Sequence, residues 1–154
     1  MPDIQKHLDD LAAERWDDYK AAFANDVIYE ELATRTRVQG VDEYLNTIKR
    51  WKRAFPDLKA TVLSSLQSAD KVIVEVEWEG TQSGPLEGPF GTIQPTSKKG
   101  RVRAVLVLTM SGEKIKESHH YFDLLTVLAQ TGAMPGLGAM AQPGAQAAPS
   151  LPKH

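Results

Sequence analysis

A chain of 154 residues, 42% hydrophobic and 25% charged, fits one domain that can bury a sizeable core. A net charge of −2 gives no electrostatic reason to bind nucleic acid or an anionic membrane, and no stretch approaches the roughly 20 apolar residues of a membrane span. The lack of cysteine excludes disulfides, Cys-ligated zinc and thiol catalysis. It suits a cytoplasmic protein, as does an N-terminus, Met1-Pro2-Asp3-Ile4-Gln5-Lys6-His7, without an apolar signal core.

Ile4, Leu8, Leu11, Ala12, Trp16, Tyr19 and Phe23 recur at helical spacing. A break near Arg15-Trp16, with Asp17 as a cap, predicts two helices. Residues 27–32 read as a strand on which Tyr29 and Glu31 share a face. Gly40 then precedes a helix with an apolar face of Val41, Tyr44, Leu45, Ile48, Trp51 and Phe55, stopped at Pro56-Asp57. Three β stretches follow, at 58–66, 71–80 and 101–110. In the middle one Val72, Val74, Val76 and Trp78 alternate with Ile73, Glu75, Glu77 and Glu79. Arg101 and Arg103 can pair with those glutamates across the ladder. Between these strands lies a Gly/Pro-rich loop, 81–100, long enough to act as a lid.

Ser111-Gly112 turns the chain into a last strand, 113–122, and Asp123 caps a short helix that ends at Gly132. From Ala133 onward Ala, Pro and Gly dominate, which predicts a flexible tail, 133–154, after a folded domain, 1–132. The order of elements predicts an α+β architecture: a curved antiparallel sheet with helices on its concave face and a pocket between them.

The last strand carries the chemistry. Glu117-Ser118-His119-His120-Tyr121-Phe122-Asp123 packs two imidazoles, a phenol and two carboxylates into seven residues. In a regular strand Ser118, His120 and Phe122 point one way, and Glu117, His119, Tyr121 and Asp123 the other. Only one set can face the pocket. An imidazole, with an unperturbed pKa of about 6.5, suits proton transfer near neutral pH. His120 and His119 are therefore candidate acid/base groups. Asp123 is a third, although it is equally a helix cap. Tyr29, Trp51, Phe55 and Trp78 can hold a flat hydrophobic ligand, with Tyr121 assisting. Glu31, if buried, has a raised pKa and can act as a base. Adjacent histidines on a strand point to opposite faces, so no metal site is expected.

Several landmarks recur in an order that resembles one family. They are Asn25-Asp26-Val27, Gly40, Phe55-Pro56-Asp57-Leu58, Gly80-Thr81-Gln82-Ser83-Gly84-Pro85, Pro95-Thr96, Gly112 with Lys114-Ile115, and Glu117 six residues before Asp123. The helix Leu124-Leu125 to Gly132 closes the match. From about Trp16 to Pro135 the chain resembles SnoaL-like polyketide cyclases of the nuclear-transport-factor-2-like superfamily. The resemblance implies a cone-shaped α+β barrel, a homodimer, an apolar pocket and no cofactor. In the family's cyclases an Asp in the pocket moves protons while a ring closes. Two positions depart from the pattern. His120 stands where those proteins often carry Asp, and Gln82 stands where their loop often carries His; Gln82 joins the candidate substrate contacts.

Three functions are consistent with these residues. The first is a cofactor-free enzyme performing acid/base chemistry, an aldol-type cyclisation or an isomerisation, on a small hydrophobic carbonyl or ester compound. The second is a non-catalytic module that binds such a molecule. The third is a hydrolase of the limonene-epoxide type, for which Arg103 and Asp123 can supply part of an Asp/Arg/Asp set.

Overall fold

The computed structural model describes residues 2–133, so beyond Ala133 the expected tail lies outside the described residues. Helix α1, Ile4–Ala12, begins where the Asp3 carboxylate accepts the Lys6 amide at 2.9 Å. It buries Ile4, Leu8 and Leu11. Helix α2, Trp16–Ala21, starts from Arg15 without a side-chain cap. Asp17 is therefore not the cap. It lies with Asp18 in the first turn, where a carboxylate complements the helix dipole.

Strand β1, Phe23–Glu31, ends in a 3-10 turn, Leu32–Thr34, and folds back as β2, Thr36–Gln39. The reversal uses Arg35 in the left-handed region, at φ 56°. Its sequence carries none of the Gly or Asn that usually announces such a turn. Gly40 leads into helix α3, Val41–Ala54, at φ 96°, which a side chain rarely tolerates. The remaining elements are β3 (Lys59–Ser68), β4 (Lys71–Thr81), β5 (Leu86–Gly88), β6 (Gly91–Ile93), β7 (Lys99–Ser111), β8 (Lys114–Phe122) and α4 (Leu124–Gln130).

The six-stranded sheet has the order β2-β1-β8-β7-β4-β3 and is open, with β2 and β3 at its edges. One pair departs from the expected antiparallel pattern. β1 runs parallel to β8, with Tyr29 opposite Ser118 and Glu31 opposite His120. The parallel pairing arises because the last strand returns to the sheet between β1 and β7. The α+β class holds, with helices lining a curved sheet.

On β4, Val72, Val74 and Val76 are fully buried, and Ala104, Leu106 and Leu108 stand opposite them on β7. Each such valine contributes about 1.5–3 kcal/mol of transfer free energy. Helix α1 is tied to β3 through Gln5, whose amide donates to the Ala60 carbonyl (3.0 Å) and accepts from the Val62 amide (2.8 Å). Lys52 is buried and donates to the carbonyls of Ala12 and Pro56, linking the end of α3 to the end of α1.

The excursion between β4 and β7 is held from its base. Gln82 is fully buried, and its amide nitrogen donates to the carbonyls of Gly84, Ile93 and Gln94. Its Oε1 accepts from Thr96 at 2.8 Å. Gly84 passes so close to α3 that an added Cβ would lie 1.9 Å from the Arg53 carbonyl oxygen. Among the described residues no helix is long and apolar enough to cross a membrane.

Candidate active site

Helices α1, α2 and α3 leave a cavity of about 90 Å³ against the sheet. It extends from Leu8, Leu11 and Tyr19 at one end to Lys98, Gln130 and Thr131 at the other. The strand register decides which side chains reach it. The face bearing Ser118, His120 and Phe122 turns inward, together with Tyr29 and Glu31 from β1 and Trp78 from β4. Trp51 and Phe55 enter from α3.

At the centre is a chain of hydrogen bonds. Tyr29 Oη donates to Glu31 Oε2 at 2.6 Å and lies 3.1 Å from His120 Nδ1. The Trp78 indole donates to His120 Nε2 at 3.1 Å. An indole N–H can only donate, so Nε2 must be the accepting, unprotonated nitrogen. The proton of a neutral His120 then sits on Nδ1 and is donated to Tyr29. A carboxylate anchors the opposite end and can only accept, so the sequence Trp78 → His120 → Tyr29 → Glu31 has one direction.

Glu31 is 1% exposed, yet its carboxylate is satisfied on both oxygens. Oε2 accepts from Tyr29 and from the Trp51 indole at 3.0 Å. Oε1 accepts from Thr34 at 2.6 Å and from Trp51 at 3.2 Å. Burial opposes the charge, but the His120 imidazole and the Thr34 and Tyr29 hydroxyls outweigh it and hold the Glu31 pKa below the ordinary carboxylate value. The sequence-based expectation of a raised pKa is therefore corrected: donors converge on this carboxylate and keep it ionised. Burial, then the Glu31 charge, pushes the Tyr29 phenol well above its ordinary value, so it stays protonated as a donor. Its ring stacks on Tyr44 at 4.1 Å.

Four other predicted site residues lie outside this cavity. His119 points from the opposite sheet face and pairs with Glu117 at 3.0 Å. Tyr121 shares that face and is exposed. Asp123 is exposed and caps α4 through the amide and hydroxyl of Thr126. Strand alternation excludes the first two, and the end of the strand excludes the third. Gln82 is the hub of the excursion and does not line the cavity. Arg103 is also on the outer face, 3.8 Å from Glu75, so Arg103 and Asp123 cannot form a hydrolytic set in this cavity. Trp16 packs under Lys49, 5.4 Å from its ring, and is not a cavity wall.

Sequence reasoning missed Thr34, which completes the Glu31 site from the 3-10 turn, and His7, which lines the cavity beside Tyr19. Thr34 has no sequence signal, since its role depends on a turn that only the tertiary structure specifies. His7 sits one residue from the apolar Leu8 on α1, a position that helical periodicity alone could have flagged. Among the described residues no group of three or more His, Cys, Asp or Glu could hold a metal ion.

An open curved sheet with helices packed over its concave face is the nuclear-transport-factor-2-like, ketosteroid-isomerase-like fold. The family model described as SnoaL-like polyketide cyclase matches residues 3–131, and the chain belongs to that family. Similar solved structures include a candidate SnoaL-like polyketide cyclase from Jannaschia sp. CCS1, with a TM-score of 0.70 and 18% identity over 88% of this chain and 98% of the other. A protein with a ketosteroid isomerase-like fold from Catenulispora acidiphila, in complex with trimethylamine, gives a TM-score of 0.71 and 21% identity, covering 86% and 94%. IdmH from Streptomyces antibioticus, a candidate polyketide cyclase, gives 0.69 and 21%, covering 81% and 92%. A comparison with curated protein sequences returns no match.

Proposed function

We propose that this protein is a cofactor-independent acid/base enzyme that closes or isomerises a small hydrophobic carbonyl compound, with His120 as the proton carrier. Family and fold support a cyclase- or isomerase-type enzyme. The observation that carries the finer reading is the directed hydrogen-bond chain ending on Glu31, which leaves His120 neutral with its lone pair on Nε2.

In this reading the substrate displaces the Trp78 indole from Nε2, which then removes a proton from the carbon next to a substrate carbonyl. The resulting imidazolium keeps its Nδ1 proton on Tyr29, and the Glu31 carboxylate oxygen, 3.9 Å from Nδ1, stabilises the positive charge. At that separation and an effective dielectric of about 20, the attraction is on the order of 4 kcal/mol. In a cyclisation the carbanion forms a carbon–carbon bond with a second carbonyl carbon, and the new alkoxide takes the proton back from Nε2. In an isomerisation the same proton returns to a different carbon. Trp51, Phe55 and Phe122 exclude water and hold the rings.

Turnover of β-dicarbonyl and aryl-ketone test compounds by the purified protein tests this, with His120→Ala alongside. Activity lost in that variant and kept in His119→Ala supports the proposal. Binding of such compounds with no turnover, or turnover indifferent to His120, points to a non-catalytic binding module.

A homodimer belongs to the same proposal. The outer sheet face carries an apolar row, Leu66, Ile73 and Val107, with Val105 and Tyr121 beside it. Leu66 is 64% exposed and Ile73 42%. A second copy placed face to face would cover this row; a sedimentation experiment showing only monomer at high concentration overturns it.

A further inference from the structure

The hydrogen bonds around His120 also restrict what the cavity can accept. We infer that its ligand is a one- or two-ring compound bearing a hydroxyl of phenol or enol type, which donates its O–H to His120 Nε2 in place of the Trp78 indole. This rests on the proposed acid/base role of His120 and narrows it to a ligand class.

The polar cluster is saturated. Glu31 accepts from Tyr29, Thr34 and Trp51, and Tyr29 both donates and accepts. Both nitrogens of His120 are engaged. At this cluster a polar ligand group can therefore enter only by exchange, in contrast to the far end of the cavity, where His7 Nδ1 has no partner. Displacing a donor from Glu31 leaves a buried carboxylate short of a partner, the costliest exchange in the cluster. Displacing the Trp78 indole breaks one neutral bond of 3.1 Å, and Trp78 is only partly buried whereas Tyr29, the other partner of His120, is fully buried. Nε2 is thus the point of exchange.

Its chemistry selects the incoming group. Nε2 presents a lone pair, so the newcomer must be a donor. A carbonyl or ether oxygen would face that lone pair with no proton between them, and a carboxylate would also meet the field of Glu31. Size selects the rest. With roughly 10–15 Å³ of such space per water, the cavity takes about six to nine waters, the bulk of one or two fused rings. The flat walls formed by Trp51, Phe55 and Phe122 suit an aromatic or enolic ring face.

Three coumarins test this on the full chain at pH 6, where the phenol is un-ionised: 7-hydroxycoumarin, 7-methoxycoumarin and coumarin-3-carboxylate, each followed by its own fluorescence anisotropy. The hydroxyl compound is expected to bind at least ten-fold more tightly than its methyl ether, with the carboxylate weakest. In Trp78→Phe, which removes the competing N–H and keeps a ring, 7-hydroxycoumarin should bind several-fold more tightly. In His120→Phe the hydroxyl preference should fall below about two-fold. Equal binding of phenol and ether to the unmodified protein, or a preference for the carboxylate, overturns the inference without any variant. Binding and turnover separate the two readings: a hydroxyl preference without catalysis defeats the enzyme proposal alone, and catalysis that depends on His120 without a hydroxyl preference defeats this inference alone.

Discussion

Glu31 and His120 face each other across the one parallel ladder of the sheet, yet Oε2 and Nδ1 stay 3.9 Å apart with Tyr29 Oη between them. The carboxylate therefore acts on the imidazole through a phenol that holds its proton. Removing the intermediary should uncouple the pair without moving either strand. His120→Ala is expected to lower turnover by roughly 10²–10⁴-fold, the usual worth of a positioned acid/base group. Tyr29→Phe should lower kcat while changing KM little. His119→Ala and Asp123→Asn, on the outer face and at a helix cap, should leave both unchanged. Steady-state kinetics of the four variants check the set.

Replacing Glu31 with Gln swaps an acceptor for a group that presents N–H to donors already in place. The expected loss is roughly 1–3 kcal/mol, the cost of buried polar groups left unpaired. Burial of Glu31 opposes its charge, but the His120, Thr34 and Tyr29 contacts lower its pKa in the folded protein. Its stabilising contribution is therefore complete above the unfolded carboxylate value of 4.5 and is lost as pH falls through the lower folded value. Urea midpoints between pH 3 and pH 7 should show the variant losing less stability than the parent at the acid end of that range.

His7 acts in a different window. It stacks on Tyr19 at 4.3 Å, and its Nδ1 has no partner. Burial, reinforced by Lys6 and partly opposed by Asp10, lowers its pKa from the ordinary 6.5 to about 4. Between these values the unfolded chain binds the proton and the folded one does not, so stability declines as pH falls from 6.5 towards 4. The full decline amounts to roughly 3 kcal/mol. A His7→Phe variant should flatten the denaturation midpoint across that interval, whereas Glu31→Gln should lower stability above pH 4.5 by a constant amount without changing its slope there.

Gln82 and Gly84 fasten the excursion between β4 and β7. Gln82→Ala leaves the carbonyls of Gly84, Ile93 and Gln94 without their common donor. Hydrogen exchange should speed up across the excursion while protection in β4 and β7 is retained. Gly84→Ala is expected to be worse: its Cβ would meet the Arg53 carbonyl at 1.9 Å, so α3 or the loop must move. Soluble yield and melting temperature should both fall.

Much of this architecture is legible in the residues. Alternation along 71–80 places Val72, Val74, Val76 and Trp78 on one face, as in β4, because a period of two needs no knowledge of partners. The Asp123 cap and the helix to Gln130 follow from local chemistry in the same way. So do the face shared by Tyr29 and Glu31 and the opposition of His119 to His120. Local spacing left open which face of the last strand turns inward, because both faces carry polar groups able to do chemistry. Insertion of β8 between β1 and β7 decided that, and it set Glu31 against His120 in register. It also reversed the expected charge behaviour of Glu31. Burial alone raises a carboxylate pKa, and only the convergence of His120, Thr34 and Tyr29 from three separate elements lowers it. Periodicity reports which way a side chain points relative to its neighbours in the chain. What it meets there is a long-range property, and in this protein the chemistry of the site depends on it.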